Sequence, residues 1–353
     1  MTEEIIKIKN LQISFQDGQG TLNAVRGVDL SLRQGETLAI VGESGSGKSV
    51  MTRALLGLLP KTAQVSAEEL SYRGESLTSL SKADYRKIRG QKISMVFQDP
   101  LSALNPTMKV GAQIAEGLRE HTKISKKAAK AKVLEHLAAV GIPEPEKSSQ
   151  KYPHQLSGGQ RQRVLIAMAL IETPEILIAD EPTTALDVTL QAQILQLIKE
   201  YKQERELSII FITHDLGVVA NIADRVAIMY AGEIVEVGTA EEIFYHPQHP
   251  YTWGLLEAVP DGDEREELFT LTGTPPNMRQ EIVGDAFAKR NPFALAIDFE
   301  EAPPLFQVSQ THFVKSWLQD TRSPSYQPPK MIGERWSYYH SLKEESIVHE
   351  SIN

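Results

Sequence analysis

Cysteine is absent from this sequence. That excludes disulfide staples, cysteine zinc sites and cysteine-held iron–sulfur clusters, and it fits a reducing compartment. Long hydrophobic runs are missing too, since none approaches the roughly 20 residues a membrane-spanning helix needs. The opening Met1-Thr2-Glu3-Glu4-Ile5 is acidic and lacks the basic and apolar regions of a secretory signal. Any tie to a membrane is therefore expected through a partner. Positive charge is scarce as well: 37 Lys and Arg against 46 Asp and Glu leave a net charge of −9. This argues against a nucleic-acid-binding surface. The local exception is Lys123, Lys126, Lys127, Lys130 and Lys132, which read as a solvated helix face or, alternatively, as a docking or lipid-facing patch. At 353 residues the chain suits one large α/β domain with an appendage, or two domains, and can bury a core without covalent staples.

What is present is organised around Gly42-Glu43-Ser44-Gly45-Ser46-Gly47-Lys48-Ser49. The apolar run Leu38-Ala39-Ile40-Val41 before it reads as a buried strand, and Val50 to Leu56 after it as the start of a helix. In that context the spacing G-x-x-x-x-G-K-S predicts a phosphate-binding loop. Its glycines let successive N–H groups turn inward onto an anion, and the helix adds positive potential at its N-terminus. Lys48 can then reach the outer phosphates and the Ser49 hydroxyl can ligate Mg2+.

Upstream, short β-rich runs at 5–8, 11–15, 24–32 and 37–41 alternate with turns. Phe15 is either an adenine-stacking ring or a plain core aromatic. After the strand 93–97 the texture changes at Gln98, with helix-like stretches near 110–119 and 125–140, so that about 99–160 reads as a helical insert. Leu156-Ser157-Gly158-Gly159-Gln160 then opens a further helix, and a glycine pair at a helix N-terminus is again an anion-binding device. Ile176 to Glu181 reads as a buried strand ending in two acids, Asp180 and Glu181, placed to hold Mg2+ and to orient or deprotonate a water. Ser208 to Thr213 is another strand, ending at His214. From about Pro260 the composition turns acidic and then proline- and polar-rich, which predicts a separate loop-rich appendage over 261–353 beyond a first unit of 1–260. The tail after 328 reads as loosely ordered. Neither the phosphate loop nor Leu156–Gln160 occurs twice, so there is one such unit.

These motifs in this order resemble the ATP-binding cassette of ABC transporters. The resemblance implies an α/β P-loop NTPase fold: a RecA-like parallel-sheet core with an antiparallel β subdomain, a helical insert and a loop-rich C-terminal extension. It implies that Gly42, Ser44, Gly45, Ser46, Gly47, Lys48, Ser49 and Val50 bind ATP, with Phe15 near the base. Ser49, Gln98 and Asp180 are the implied Mg2+ residues. Glu181 takes the place of the catalytic glutamate and His214 that of the switch histidine, with Gln98 and Lys48 in supporting catalytic roles. Ala185-Leu186-Asp187 resembles the D-loop. Ser157, Gly159 and Gln160 fall in the signature, which the resemblance assigns to the nucleotide of a facing subunit.

Gln98-Asp99-Pro100, Leu104-Asn105-Pro106, His249-Pro250-Tyr251-Thr252 and Thr272-Gly273-Thr274-Pro275-Pro276 resemble a narrower group. They are similar to the ATPase subunits of oligopeptide, dipeptide and nickel importers, most of all the oligopeptide type of Gram-positive bacteria. This implies ATP hydrolysis powering peptide import from the cytoplasmic face of the membrane. The implied partners are a second homologous ATPase, two membrane permeases and an extracellular peptide-binding protein, with no nucleic acid. ATPases for another cargo, or an ABC ATPase acting on nucleic acid or ribosomes, are the alternatives. Many such relatives carry four cysteines in the extension; here Asp285, Asn291, Asp298 and Ser316 resemble replacements, so no iron–sulfur cluster is expected. Those residues either cage a hard cation or leave the region to packing. In the packing case the carboxylates pair with Lys289 and Arg290, and Phe287, Phe293, Phe299 and Trp317 form the staple.

Overall fold

The computed structural model describes residues 3–183, 186–258 and 271–350, the last six of these in backbone only. Thr184 and Ala185, the expected boundary near Pro260 and most of the acidic run lie outside the described residues.

The first sheet is antiparallel and built around one long strand, Glu4–Asp17, which pairs with Gly20–Arg33 on one side. On the other side it pairs with Ala63–Ser66 and Glu69–Tyr72. The runs 5–8 and 11–15 are thus a single strand. Its pairing register shifts between Ile8 and Leu11, where Asn10 takes a φ of 46°. An irregularity of this kind breaks the alternation that sequence reading depends on, while the strand carries on with added twist.

The second sheet has five parallel strands side by side, in the order 225–230, 37–41, 208–213, 176–180 and 93–96. The strands Thr37–Val41, Ile176–Asp180, Ser208–Thr213 and Arg225–Tyr230 are buried at every residue. That is why they read as continuous apolar runs rather than as alternation. Parallel strands end at the same edge, so the segments after Val41, Val96, Asp180 and Thr213 emerge together, where open α/β sheets collect ligand groups.

Between Ile93–Val96 and Ile176–Asp180 the chain is helical, with Val110–His121, Lys126–Ala139 and Gly158–Leu170 as the long pieces. Ile114, Leu118, Ala129, Val133, Leu137 and Val164 join one buried cluster. Lys123, Lys126, Lys127, Lys130 and Lys132 all stay on the exposed side.

The extension is not a separate appendage. Phe306–Gln307 and Phe313–Val314 add to the main sheet beyond Glu233–Thr239. Phe287, Leu318 and Ile332 share a hydrophobic cluster with Val41, Ile228 and Trp253. The expectation of a loosely ordered tail fails as well, because Lys330–Glu350 is a helix. Ile332, Trp336 and Tyr339 recur at helical spacing. Ile332 and Tyr339 are buried, and the Trp336 indole donates to the Pro247 carbonyl at 2.9 Å.

At the four positions singled out in the extension, each side chain turns to its own backbone. Asp285 accepts the Phe287 N–H at 3.0 Å, Asn291 that of Phe293 at 2.9 Å, Asp298 that of Leu295 at 2.6 Å and Ser316 that of Leu318 at 3.4 Å. Such local bonds stabilise turns. The expected pairing of the carboxylates with Arg290 does not occur, since that guanidinium is spent on Glu43. Aromatic packing engages Phe287 on Tyr230, Phe293 on Trp253 and Trp317 on Phe306. Phe299 is 51% exposed and takes no part in the core. A short 3-10 turn, Ala296–Phe299, ends there and leaves its ring outside the core cluster.

Candidate nucleotide site

The loop 42–49 joins the central strand Thr37–Val41 to the helix Lys48–Leu55. Gly42 and Gly47 are fixed by lack of space. A Cβ on Gly42 would lie 2.0 Å from the Met229 carbonyl oxygen, and one on Gly47, at φ 106°, 2.5 Å from that of Ala24. The helix that follows has no side-chain cap at its N-terminus. Its first N–H donors are thus left for an anion. Lys48 is buried, and its ammonium donates to the carbonyls of Gly42 at 2.6 Å and Glu43 at 2.8 Å. Burial holds that ammonium below the ordinary lysine range, while Glu181, Asp180 and Glu43 pull it back up.

Asp180, at the end of Ile176–Asp180, is fully buried. The Ser49 hydroxyl donates to its Oδ1 at 2.7 Å. Its Oδ2 has no hydrogen-bond partner among the described residues, and the Arg53 guanidinium stands 3.7 Å away. Burial raises the Asp180 carboxyl, with Ser49 and Arg53 opposing. A buried carboxylate oxygen without a donor is costly. Beside a hydroxyl and a phosphate-type loop it suits a hard divalent cation, so the residues present fit Mg2+.

Glu181 is the hub of the cluster. It sits in left-handed backbone at φ 48°, an uncommon conformation for a side chain of this kind, and its N–H donates to the Ile212 carbonyl at 2.9 Å. The Gln98 amide donates to Glu181 Oε2 at 2.9 Å, and His214 Nδ1 lies 3.4 Å from Oε1. Three expected residues from three strand ends thus meet on one carboxylate, one residue along the chain from the Asp180 that Ser49 holds.

The remaining expected residues lie apart from that cluster in their contacts. Ser157 caps Gly158–Leu170, accepting the Gln160 N–H at 3.3 Å while the Gln160 side chain accepts the Ser157 N–H at 3.1 Å. Gly159 is packed so closely on Leu190 that a Cβ would come within 2.0 Å of that side chain. No hydrogen bond among the described residues joins Ser157, Gly159 or Gln160 to the loop 42–49. Phe15 is half-buried on the first sheet, opposite Leu22 and Ala63.

Sequence reading missed what surrounds the loop. Arg53 is one such residue. Another is the set formed by Glu43, Tyr251 and Arg290. The Tyr251 hydroxyl accepts the Glu43 N–H at 2.8 Å, and Arg290 holds the Glu43 carboxylate through two bonds of 2.8 Å. The legible signal was an acidic residue inside a loop meant for a polyanion.

Residues 25–184 match the family model described as ABC transporter, and residues 235–297 match the oligopeptide/dipeptide transporter C-terminal region. The chain is 54% identical to a dipeptide transport ATP-binding protein of Lactococcus lactis over 97% of its length and 98% of that relative's. It is 55% identical to an oligopeptide transport ATP-binding protein of Bacillus subtilis, over 93% of its own length and 92% of the relative's. The chain belongs to the ATP-binding proteins of the ABC transporters. As a member it is an ATP-binding, ATP-hydrolysing α/β cassette with the C-terminal region of the oligopeptide/dipeptide branch. Among solved structures, a dimeric post-hydrolysis ATP-binding cassette bound to ADP and Pi matches with a TM-score of 0.59 and 30% identity. It covers 67% of this chain and 98% of its own. A cassette from Clostridium perfringens, described as part of an ABC transporter complex, gives 0.59 and 30% over 69% and 92%. No helix among the described residues is long and apolar enough to cross a membrane.

Proposed function

We propose that this ATPase powers the import of oligopeptides or dipeptides as one subunit of a multi-subunit ABC importer, seated on the cytoplasmic face of the membrane. The observation that carries the reading is the meeting of Gln98 and His214 on Glu181 beside the Ser49–Asp180 pair, in a chain whose C-terminal region is of the peptide-transporter type. ATP is the substrate. Lys48, now turned onto two loop carbonyls, swings to the outer phosphates, while the loop N–H groups and the uncapped helix end receive the rest of the triphosphate. Ser49, Asp180 and Gln98 would hold Mg2+, whose chemistry when bound is to neutralise charge on the phosphate oxygens. Glu181 orients the attacking water and takes its proton, kept in place by Gln98 and by the backbone bond to Ile212. His214, 55% exposed at the rim, orders the γ-phosphate.

Ser157, Gly159 and Gln160 act on the nucleotide of a second, homologous ATPase, so that two subunits enclose two ATP molecules head to tail. Their separation from this chain's own loop supports that role, since two donor sets neutralise a triphosphate better than one. Gln98 leads directly into the helical insert, which receives the movement and passes it to two permeases. An extracellular binding protein delivers the peptide. The test is to isolate the complex intact from membranes and measure ATP hydrolysis and peptide uptake together. Co-purification with two permeases and a peptide-binding protein, with uptake that stops when ATP is withheld, is the expected result. A complex lacking permeases, or uptake of a non-peptide cargo alone, would refute it.

A further inference from the structure

Glu43 lies within the phosphate loop, where an anionic side chain opposes the binding of a polyphosphate. The extension answers that charge. Arg290 donates from one terminal nitrogen to Glu43 Oε2 and from the other to Oε1, both at 2.8 Å, with the Arg290 side chain 5% exposed and that of Glu43 26% exposed. The guanidinium is fixed from the other sides. Its Nε donates to the Thr272 carbonyl at 3.0 Å, a terminal nitrogen donates to the Tyr230 hydroxyl at 3.2 Å, and the Tyr230 and Phe287 rings lie 5.6 and 5.8 Å from its centre. The same residue of the loop also presents its carbonyl to the Lys48 ammonium at 2.8 Å and its N–H to Tyr251. Pro275 and Met278 of the extension border a narrow cleft together with Glu43, Ser44, Gly45 and Ser46.

We infer that Arg290 is a positioning residue for nucleotide binding: acting through Glu43, it cancels the negative charge of the phosphate loop and so ties ATP affinity to the C-terminal extension. A planar, doubly bonded guanidinium suits this task better than an ammonium, because it meets both carboxylate oxygens at once. Breaking the pair from the arginine side leaves an uncompensated carboxylate beside the triphosphate. Removing both charges leaves the loop neutral again, which separates this account from simple support of the fold. The inference rests on the ATPase reading above.

The experiment measures kcat and KM for ATP in the assembled complex, with the second ATPase silenced, and the thermal midpoint of the full chain, for the wild type, Arg290→Gln, Arg290→Lys, Glu43→Gln and the Glu43→Gln, Arg290→Gln double variant. Arg290→Gln is expected to raise KM about tenfold with kcat within about twofold, and 0.5 M salt to shrink that difference, as screening requires. Glu43→Gln alone, which keeps an acceptor for Arg290, is expected to hold KM at or below the wild-type value. The double variant should recover most of the lost affinity, and Arg290→Lys part of it. A wild-type KM in Arg290→Gln would overturn the inference. So would a loss that persists undiminished in the double variant, or a KM raised as much by Glu43→Gln. Should Arg290→Gln fail to fold, Arg290→Lys and Glu43→Gln still decide between the accounts: a KM raised by the first and not by the second supports the inference, and a wild-type KM in Arg290→Lys or an equal rise in both overturns it. Failure of the wild-type complex to bind and hydrolyse ATP would instead refute the ATPase reading itself.

Discussion

Replacing Glu181 by Gln should stop hydrolysis while leaving ATP bound. The change preserves the local geometry to an unusual degree. The carbonyl of the introduced amide can accept the Gln98 amide in place of Oε2, and its NH2 can face His214 Nδ1, which accepts when the proton sits on Nε2. The strained backbone at φ 48° and the bond to Ile212 are unaffected. What disappears is one negative charge, and with it the basic oxygens that would take a proton from the reacting water. A positioned general base contributes on the order of 10²–10⁴-fold, equivalent to about 3–5 kcal/mol of barrier. Loss of an anion beside a triphosphate also favours the ATP-bound state, so affinity is expected to hold or rise. The assay is single-turnover hydrolysis in the assembled complex, with the second ATPase carrying the same change in both arms so that this chain supplies the turnover. ATP-dependent association of the two ATPases, followed by size-exclusion chromatography, should persist in the variant. Hydrolysis within about fivefold of the unchanged chain would refute the assignment of the base to Glu181.

Two further outcomes follow from other parts of the structure. Burial, helped by Asp298 and Glu233 and opposed by the Phe287 N–H, pushes the Asp285 carboxyl from its ordinary value up to about 7. Between the unfolded value near 4 and about 7 the folded chain therefore binds the extra proton, and stability falls as pH rises through that window. Asp285→Asn keeps the acceptor for Phe287 and should raise the thermal midpoint by about 2–5 °C at pH 8, with the gain fading toward pH 5. An equal gain at both pH values would contradict the cause. Ser157→Arg, at an exposed cap whose hydrogen bonds stay within its own helix, should leave the isolated chain's ATP affinity within about twofold and cost about 1 kcal/mol of stability, while abolishing transport. A large loss of affinity in the isolated chain would mean that the signature serves this chain's own nucleotide.

The residues of the candidate site were legible because they fall in short segments. Gly42 to Ser49, the apolar strand ending in Asp180 and Glu181, and the strand ending at His214 each carry their meaning in local spacing. The parallel sheet then follows from buried runs whose ends share one edge. Local patterns also gave away the helix near 110, whose apolar face repeats at helical period, and the alanine- and lysine-rich helix near 126. What the sequence could not determine was every relation that depends on distance along the chain. The irregularity near Asn10 made one strand look like two, and the proline- and polar-rich composition after 275 hid an extension that completes the main sheet and shares its core. Lys330–Glu350 looked loose because what anchors it lies far away in the chain, as when the Trp336 indole donates to the Pro247 carbonyl. Most tellingly, Arg290 stands beside Asp285 in sequence yet binds Glu43, which is 247 residues away. Composition placed it among local carboxylates. Packing against Tyr230 and Phe287 aims it at the phosphate loop instead, because a buried guanidinium is satisfied by whichever fixed acceptors the fold brings within reach.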